Sequence, residues 1–364
     1  MTTIFNSRIT AIALLATMII GCKKDAVTPE ASSIKPSTNF IGVDISVFPE
    51  DASVDYNACV ALGKSVGMSE VGLHLTWTAL EIAPNTFNLN ILDIANQYYP
   101  ANNLSVDLNI DPIETNVLEV PSDLKTLAFD NPILINRFKT LLDSVKNHTK
   151  NLRISTLVIG SEHDVYLKTD AKKWEQYTTF YNASVDYAKT LWPGIKLASE
   201  LTFNGLTEQN SLAQLLNTKS DYIGVSYYPL NDNYTLKSIS TVATNITQLV
   251  ALYPFEPICF FQYGYPSSPV CGSSDELQKQ FITQTFESWD AYAQNIRLID
   301  FTWLHDLSQQ EVDKNCLYYG VSDPAFKEFL RTIGLRSWNA KGTDKPAFIE
   351  LKHLATLRGY QVAM

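Results

Sequence analysis

The feature that most constrains this chain is a regular alternation of short apolar runs with stretches of helical spacing. Apolar runs at 40–46, 71–75, 105–110, 154–160, 196–200, 222–226, 258–261 and 298–303 read as eight strands. Helical stretches lie between them. In 133–148 the apolar residues Ile133, Ile135, Phe138, Leu141, Leu142 and Val145 recur at helical intervals, and 174–191 carries an aromatic stripe. Strands that alternate with helices build βα units around a parallel sheet, and eight of them predict an α/β protein of the (β/α)₈ TIM barrel type. Such a barrel takes about 250 residues before insertions, so a chain of 364 residues holds one barrel, assigned to 39–364, as a single domain. There is no solenoid repeat and no glycine-rich phosphate loop. In this fold the site sits at the C-terminal ends of the strands, and nothing catalytic is expected before Asn39.

Residues 1–21 read as an export signal, with Arg8 as the positive segment and an apolar run at 9–20 too short to span a bilayer comfortably. The run ends in Ile19-Ile20-Gly21-Cys22, which resembles a bacterial lipobox, where a small residue precedes the cysteine that becomes lipidated. The expectation is a lipoprotein signal peptide at 1–21, followed at 22–38 by a lipidated Cys22 and a Ser-, Thr- and Pro-rich flexible tether. That places a monomer at the bacterial cell envelope, anchored to the outer membrane or cell surface. Among the remaining cysteines, Cys271 and Cys316 follow apolar runs in polar, loop-like segments and are expected to pair, whereas Cys59 and Cys259 sit in apolar contexts as buried thiols. No Cys/His spacing suggests zinc, and no cofactor or metal is expected. The acids Asp306, Glu311, Asp313 and Asp323 read as solvated loop residues. A formal charge of −10 with no basic stripe argues against a nucleic-acid partner.

Reading each strand forward to its end gives a polar and aromatic series: Asp44 and Ser46, His74 and Trp77, Asn109 and Asp111, Ser161 and Glu162, Glu200 and Asn204, Tyr227 and Tyr228, Gln262 and Tyr265, and Trp303, His305 and Asp306. A purely structural barrel has no need of this convergence. Carboxylates, amides and flat rings together suit a sugar, which offers hydroxyls at its edge and an apolar face for stacking. The candidate contacts to a poly- or oligosaccharide are therefore Asp44, His74, Trp77, Asn109, Ser161, Glu200, Tyr227, Tyr228, Tyr265 and Trp303. Other residues have structural explanations: Glu81 ties the loop after the second strand, and Lys345 and Lys352 lie on the wet side of a closing helix.

Four segments in this order resemble the clan A glycoside hydrolases, most closely the endo-β-1,4-galactanase (arabinogalactan-degrading) group. They are Gly160-Ser161-Glu162, Ile223-Gly224-Val225-Ser226-Tyr227-Tyr228-Pro229, Gln262-Tyr263-Gly264-Tyr265-Pro266 and Phe301-Thr302-Trp303. The resemblance runs from Phe40 to about Leu357. It implies hydrolysis of a β-linked polysaccharide such as galactan, with the glutamate after the fourth strand as acid/base and a glutamate after the seventh as nucleophile. The first role falls on Glu162. The second position holds Gln262, whose amide oxygen is too weak a nucleophile for a covalent glycosyl intermediate. Ser161 also replaces the family's usual asparagine, which contacts the sugar 2-hydroxyl. Three functions remain open on sequence. One is a hydrolase in which Glu162 is the acid and Glu200 or Asp111 activates water. Another is an inactive glycan binder that stacks sugars on Tyr227, Tyr228, Trp303 and Trp77. The last is a scaffold for a protein partner.

Overall fold

A computed structural model of the protein describes residues 39–362; the leader, Cys22 and the tether lie outside the described residues. The barrel strands are β1 (Phe40–Val43), β2 (Met68–Thr76), β3 (Ser105–Glu114), β4 (Ile154–Ser161), β5, β6 (Ile223–Tyr227), β7 (Ile258–Tyr263) and β8 (Ile296–Phe301). Strand β5 comes in two halves, Lys196–Ala198 and Glu200–Thr202, interrupted at Ser199. Each of the eight pairs in parallel with its sequence neighbours, and β8 pairs with β1. The lower half of β5 pairs with β4 and the upper half with β6, which completes the circuit. Close approach at this junction needs Gly224, because a Cβ there would lie 2.6 Å from the Ser199 carbonyl oxygen. The (β/α)₈ barrel expected from the alternation is the fold observed.

The outer helices are α1 (Tyr56–Lys64), α2 (Asn90–Ala101), α3 (Pro132–His148), α4 (Ala171–Leu191), α5 (Asn210–Leu216), α6 (Thr241–Leu252) and α7 (Asp275–Ala291). Side chains of Asp55, Asn131, Asp170 and Ser274 accept from the first free N–H groups of α1, α3, α4 and α7, which satisfies donors a helix leaves unpaired. After β8 the chain inserts α8 (Gln309–Tyr319) and α9 (Pro324–Thr332) before the closing α10 (Pro346–Leu357). These two extra helices build a second apolar cluster beside the barrel mouth, around Cys271, Leu307, Val312, Cys316, Phe326 and Phe329.

Inside the barrel, Val158, Ala198, Cys259, Phe261 and Leu298 form a cluster contributed by strands alone. Nearby, Glu70 takes a bidentate ion pair from Arg297 at 2.7 and 3.1 Å. The same guanidinium lies over the rings of Phe40 and Tyr222. Burial, then the charge of Glu70, raises the Asp107 carboxyl well above its ordinary value.

Several expectations need correction here. Cys271 and Cys316 are free, both buried in the second cluster, and the Cys271 thiol donates to the Ala325 carbonyl oxygen at 3.3 Å. Cys59 and Cys259 are buried thiols, as expected. Lys345 is buried, and its ammonium donates to Asp306 at 2.6 Å and to the Thr332 and Gly334 carbonyls. It fastens the loop after α9 instead of facing water. Glu81 does tie its loop, accepting from the Asn85 N–H at 2.7 Å, and it also pairs with Arg137.

Candidate functional site

The end of β4 is shaped by two left-handed residues. Gly160 has φ +83, and a Cβ there would meet the Tyr177 hydroxyl at 2.2 Å. Glu162 follows with φ +48, a region sparsely populated by residues other than glycine and concentrated at functional positions. This turn sets the Glu162 carboxylate at the barrel mouth. Its Oε2 accepts from Thr115 Oγ1 at 2.7 Å and its Oε1 accepts from the Ser226 hydroxyl.

Gln262 stands near the end of β7 in a chain of hydrogen bonds whose donors all point one way. The Tyr228 hydroxyl donates to Gln262 Oε1 at 2.9 Å, Gln262 Nε2 donates to Ser161 Oγ at 3.1 Å, and Ser161 donates to Glu200 Oε2 at 2.9 Å. The chain ends on a carboxyl with no solvent exposure. Burial, then the negative charge of Glu162, pushes Glu200 up to about 8, so it is mainly protonated at neutral pH.

Around these residues lies a cleft of two lobes that share Thr115, Gln262, Thr302, Trp303, Asn315 and Tyr319. The larger, about 660 Å³, contains Asp44, His74, Asp111 and Glu114 along with Tyr56 and Tyr98. The smaller, about 350 Å³, contains Glu162 and Tyr228. His74 is exposed to the larger lobe; desolvation by the surrounding walls lowers its pKa, against the opposing charges of Asp44 and Glu114. Asp111 is raised well above the usual carboxylate range by burial, then by Glu114. Helix α8 straps the mouth: Asn116 donates to the Tyr319 carbonyl at 2.9 Å, and the Tyr318 hydroxyl reaches Glu114 at 2.8 Å and Glu119 at 2.7 Å.

The structure thus brings Asp44, His74, Ser161, Glu162, Tyr228, Gln262 and Trp303 to one cleft. It keeps the other sequence candidates out. Trp77 is fully buried, its Nε1 on Glu81 at 2.8 Å and its ring against Phe138 of α3. Tyr227 packs on Phe203 and accepts from Asn245 of α6, and Tyr265 stacks on Phe281 of α7. Successive strand residues face opposite sides of the sheet, so Tyr228 faces the cleft while its neighbour Tyr227 faces the helices. Asn109 lies wholly buried between Asp107 and Asp111 along β3, and Glu200 sits behind Ser161; neither lines the cleft. Thr115, Glu114, Asn315 and Tyr319 were missed. The first two follow from β3 running to Glu114, and the others lie on a helix whose packing against the mouth has no sequence signal.

Among the described residues no three His, Cys, Asp or Glu side chains are grouped to hold a metal ion. The four acids after β8 are spread among separate tasks: Asp306 pairs with Lys345, Glu311 with Lys314, Asp323 caps α9, and Asp313 accepts from Gln309.

No protein-family model and no curated protein matches the chain. Solved structures do. A GH5_18 protein from Bifidobacterium longum subsp. longum, in complex with Manβ1-4GlcNAc, superposes with a TM-score of 0.67 at 14% identity, over 90% of this chain and 80% of that one. An exo-β-1,4-mannosidase from Opitutaceae bacterium strain TAV5 gives 0.65 at 12% identity, over 90% of this chain and 61% of that one. The xylanase 10C of Cellvibrio japonicus gives 0.64 at 12% identity, over 91% and 73%. The chain has the barrel fold of the clan A glycoside hydrolases.

Proposed function

We propose that this protein binds a neutral β-linked glycan at the mouth of its barrel and does not hydrolyse it. The observation that carries the reading is the state of residue 262. A neutral amide, held between Tyr228 and Ser161, occupies the place where a retaining glycosidase needs a carboxylate nucleophile.

The alternative in which another acid activates water has little support. Glu200 is sealed from the cleft and raised to about 8, and Asp111 is raised well above its usual range. A base must hold a lone pair at working pH and reach the water it activates. Glu200 fails on both counts, and burial, then Glu114, pushes Asp111 toward its protonated form. The same cleft suits binding. Trp303 presents a half-buried ring at the junction of the lobes, Gln262 places a neutral amide there without a charge to desolvate, and Glu162 accepts from hydroxyls. With lipid on Cys22, the domain would capture glycans at the bacterial envelope, on a tether at 23–38.

The sugar belongs to the β-linked class. The sequence motifs resemble galactanases, and solved structures with this fold bind or act on β-mannosides and xylan. Galactan, mannan and xylan fragments therefore form the test panel. In native gels cast with each soluble polysaccharide, one of them should retard the protein. Chromatography of the matching oligosaccharide after overnight incubation should show no shorter product. Cleavage by the unaltered protein that disappears in Glu162→Ala would defeat the proposal.

A further inference from the structure

We infer that the smaller lobe of the cleft takes an apolar group, an aromatic ring or a short alkyl chain, joined through a β-glycosidic bond to the sugar in the larger lobe. The inference rests on the glycan-binding reading and adds to it what lies on the far side of the linkage.

The two lobes differ in chemistry. Beyond their shared junction, the larger sets the charged or polar groups of Asp44, His74 and Glu114 among apolar residues such as Phe48, Ile91 and Ile94, with Glu114 accepting from the Tyr318 and Tyr319 hydroxyls. Among the described residues Glu162 is the sole charged side chain lining the smaller lobe, which also takes in Gln262 from the junction. Past it the walls are Leu230, Tyr234, Val321, Phe326, Phe329 and Leu330. Asn116 lies at the exposed rim with its amide committed to the Tyr319 carbonyl.

These walls come from the insertion after β8 packed on the loop after β6, and they are knit together by their rings. Phe329 meets Tyr228 edge to face at 5.2 Å, and Phe326 packs on Tyr234 at 4.9 Å. A second sugar placed there would surrender hydration of its hydroxyls with few partners in return, at a cost of the order of 1–3 kcal/mol for each one left unpaired. An apolar group loses nothing of that kind and gains from burial. Space is sufficient: a cavity of about 150 Å³ accepts benzene, and this lobe has about 350 Å³.

The test compares methyl and phenyl β-glycosides of mannose, xylose and galactose by calorimetric titration of the protein. For the sugar that binds, the phenyl glycoside should be on the order of tenfold to a hundredfold tighter than the methyl one, the return expected from burying a ring. Two variants locate the gain. Val321→Ser adds a hydroxyl to the wall. Tyr234→Asn removes a ring at φ +59, a backbone conformation asparagine tolerates. Each should lower the phenyl-to-methyl affinity ratio severalfold. Equal binding of the two glycosides would overturn the inference and leave the glycan-binding reading standing. So would a high ratio that neither variant changes, because the ring would then sit elsewhere. Failure of every methyl and phenyl glycoside to bind would remove both.

Discussion

Gln262→Glu should convert the binder into a hydrolase, and the hydrogen-bond chain explains how the site would receive the new charge. Ser161 has one proton, now given to Glu200 Oε2. Because Glu200 is raised to about 8, it can donate to Ser161 instead, freeing the serine proton for the new carboxylate. The Tyr228 hydroxyl already donates to the other oxygen of residue 262. Two donors therefore await an anion. At the separation of about 5–5.5 Å expected of a retaining pair, with an effective dielectric near 20, the new carboxylate and Glu162 would repel by about 3 kcal/mol. One proton would then bind the pair about two pH units more tightly, the condition for one acid and one nucleophile at neutral pH. Loss of a nucleophile typically costs a hydrolase on the order of 10⁴-fold or more. With Ser161 still in place of the 2-hydroxyl contact, a gain of about 10³-fold over the unaltered protein is expected. Reducing-end release from the glycan that binds, followed in the variant and in its combination with Glu162→Ala, reads this out. A variant that binds the glycan as before and releases nothing would refute the reasoning, because the cleft would then lack glycosidase geometry beyond residue 262.

Three further outcomes follow from the same geometry. Trp303→Ala removes the half-buried ring shared by both lobes and should weaken glycan binding by about 1–3 kcal/mol, tenfold or more, with the melting temperature little changed; equal affinity would take the ring out of the contact. Glu200 and Asp164 are raised to about 8 and about 7, chiefly by burial. The folded state therefore holds their protons more tightly than the unfolded chain, and their stabilisation is full below the ordinary carboxylate pKa and lost as pH rises toward about 8. Thermal melts should weaken by a few kcal/mol in total between about pH 5 and pH 9, less steeply in Glu200→Gln; a flat profile would contradict the assignment. Thiol titration in denaturant should count Cys271 and Cys316 as free without prior reduction, and a count that rises on reduction would mean that they pair.

The barrel was legible because its signal is periodic: each apolar run is one strand, and all eight fall where the alternation puts them. The site was legible where a strand tip delivers a single residue, as at Glu162, Gln262 and Trp303. It failed where the side of the sheet mattered. Tyr227 and Tyr228 are adjacent in sequence, and only the start of β6 at Ile223 tells which ring faces the mouth. Trp77 begins a short helix, Trp77–Leu80, which turns its indole beneath α3, and nothing in the residues announces that turn. Lys345 was expected on the wet side of the closing helix, but its ammonium turns inward to Asp306 and to the Thr332 and Gly334 carbonyls. The Cys271–Cys316 expectation read their segments as loops in water, whereas α8 and α9 fold them into a buried cluster. Asn315 and Tyr319 reach the cleft through that same insertion.

The central claim is binding without chemistry at Gln262, and one sample can test both halves. The protein is held for a day with a saturating amount of the oligosaccharide that retards it most, and the bound fraction is separated, released and weighed by mass spectrometry. The account predicts one equivalent of ligand recovered at its original mass. Recovery of shortened oligosaccharides, or of no bound ligand from any of the mannan, xylan and galactan series, would contradict it.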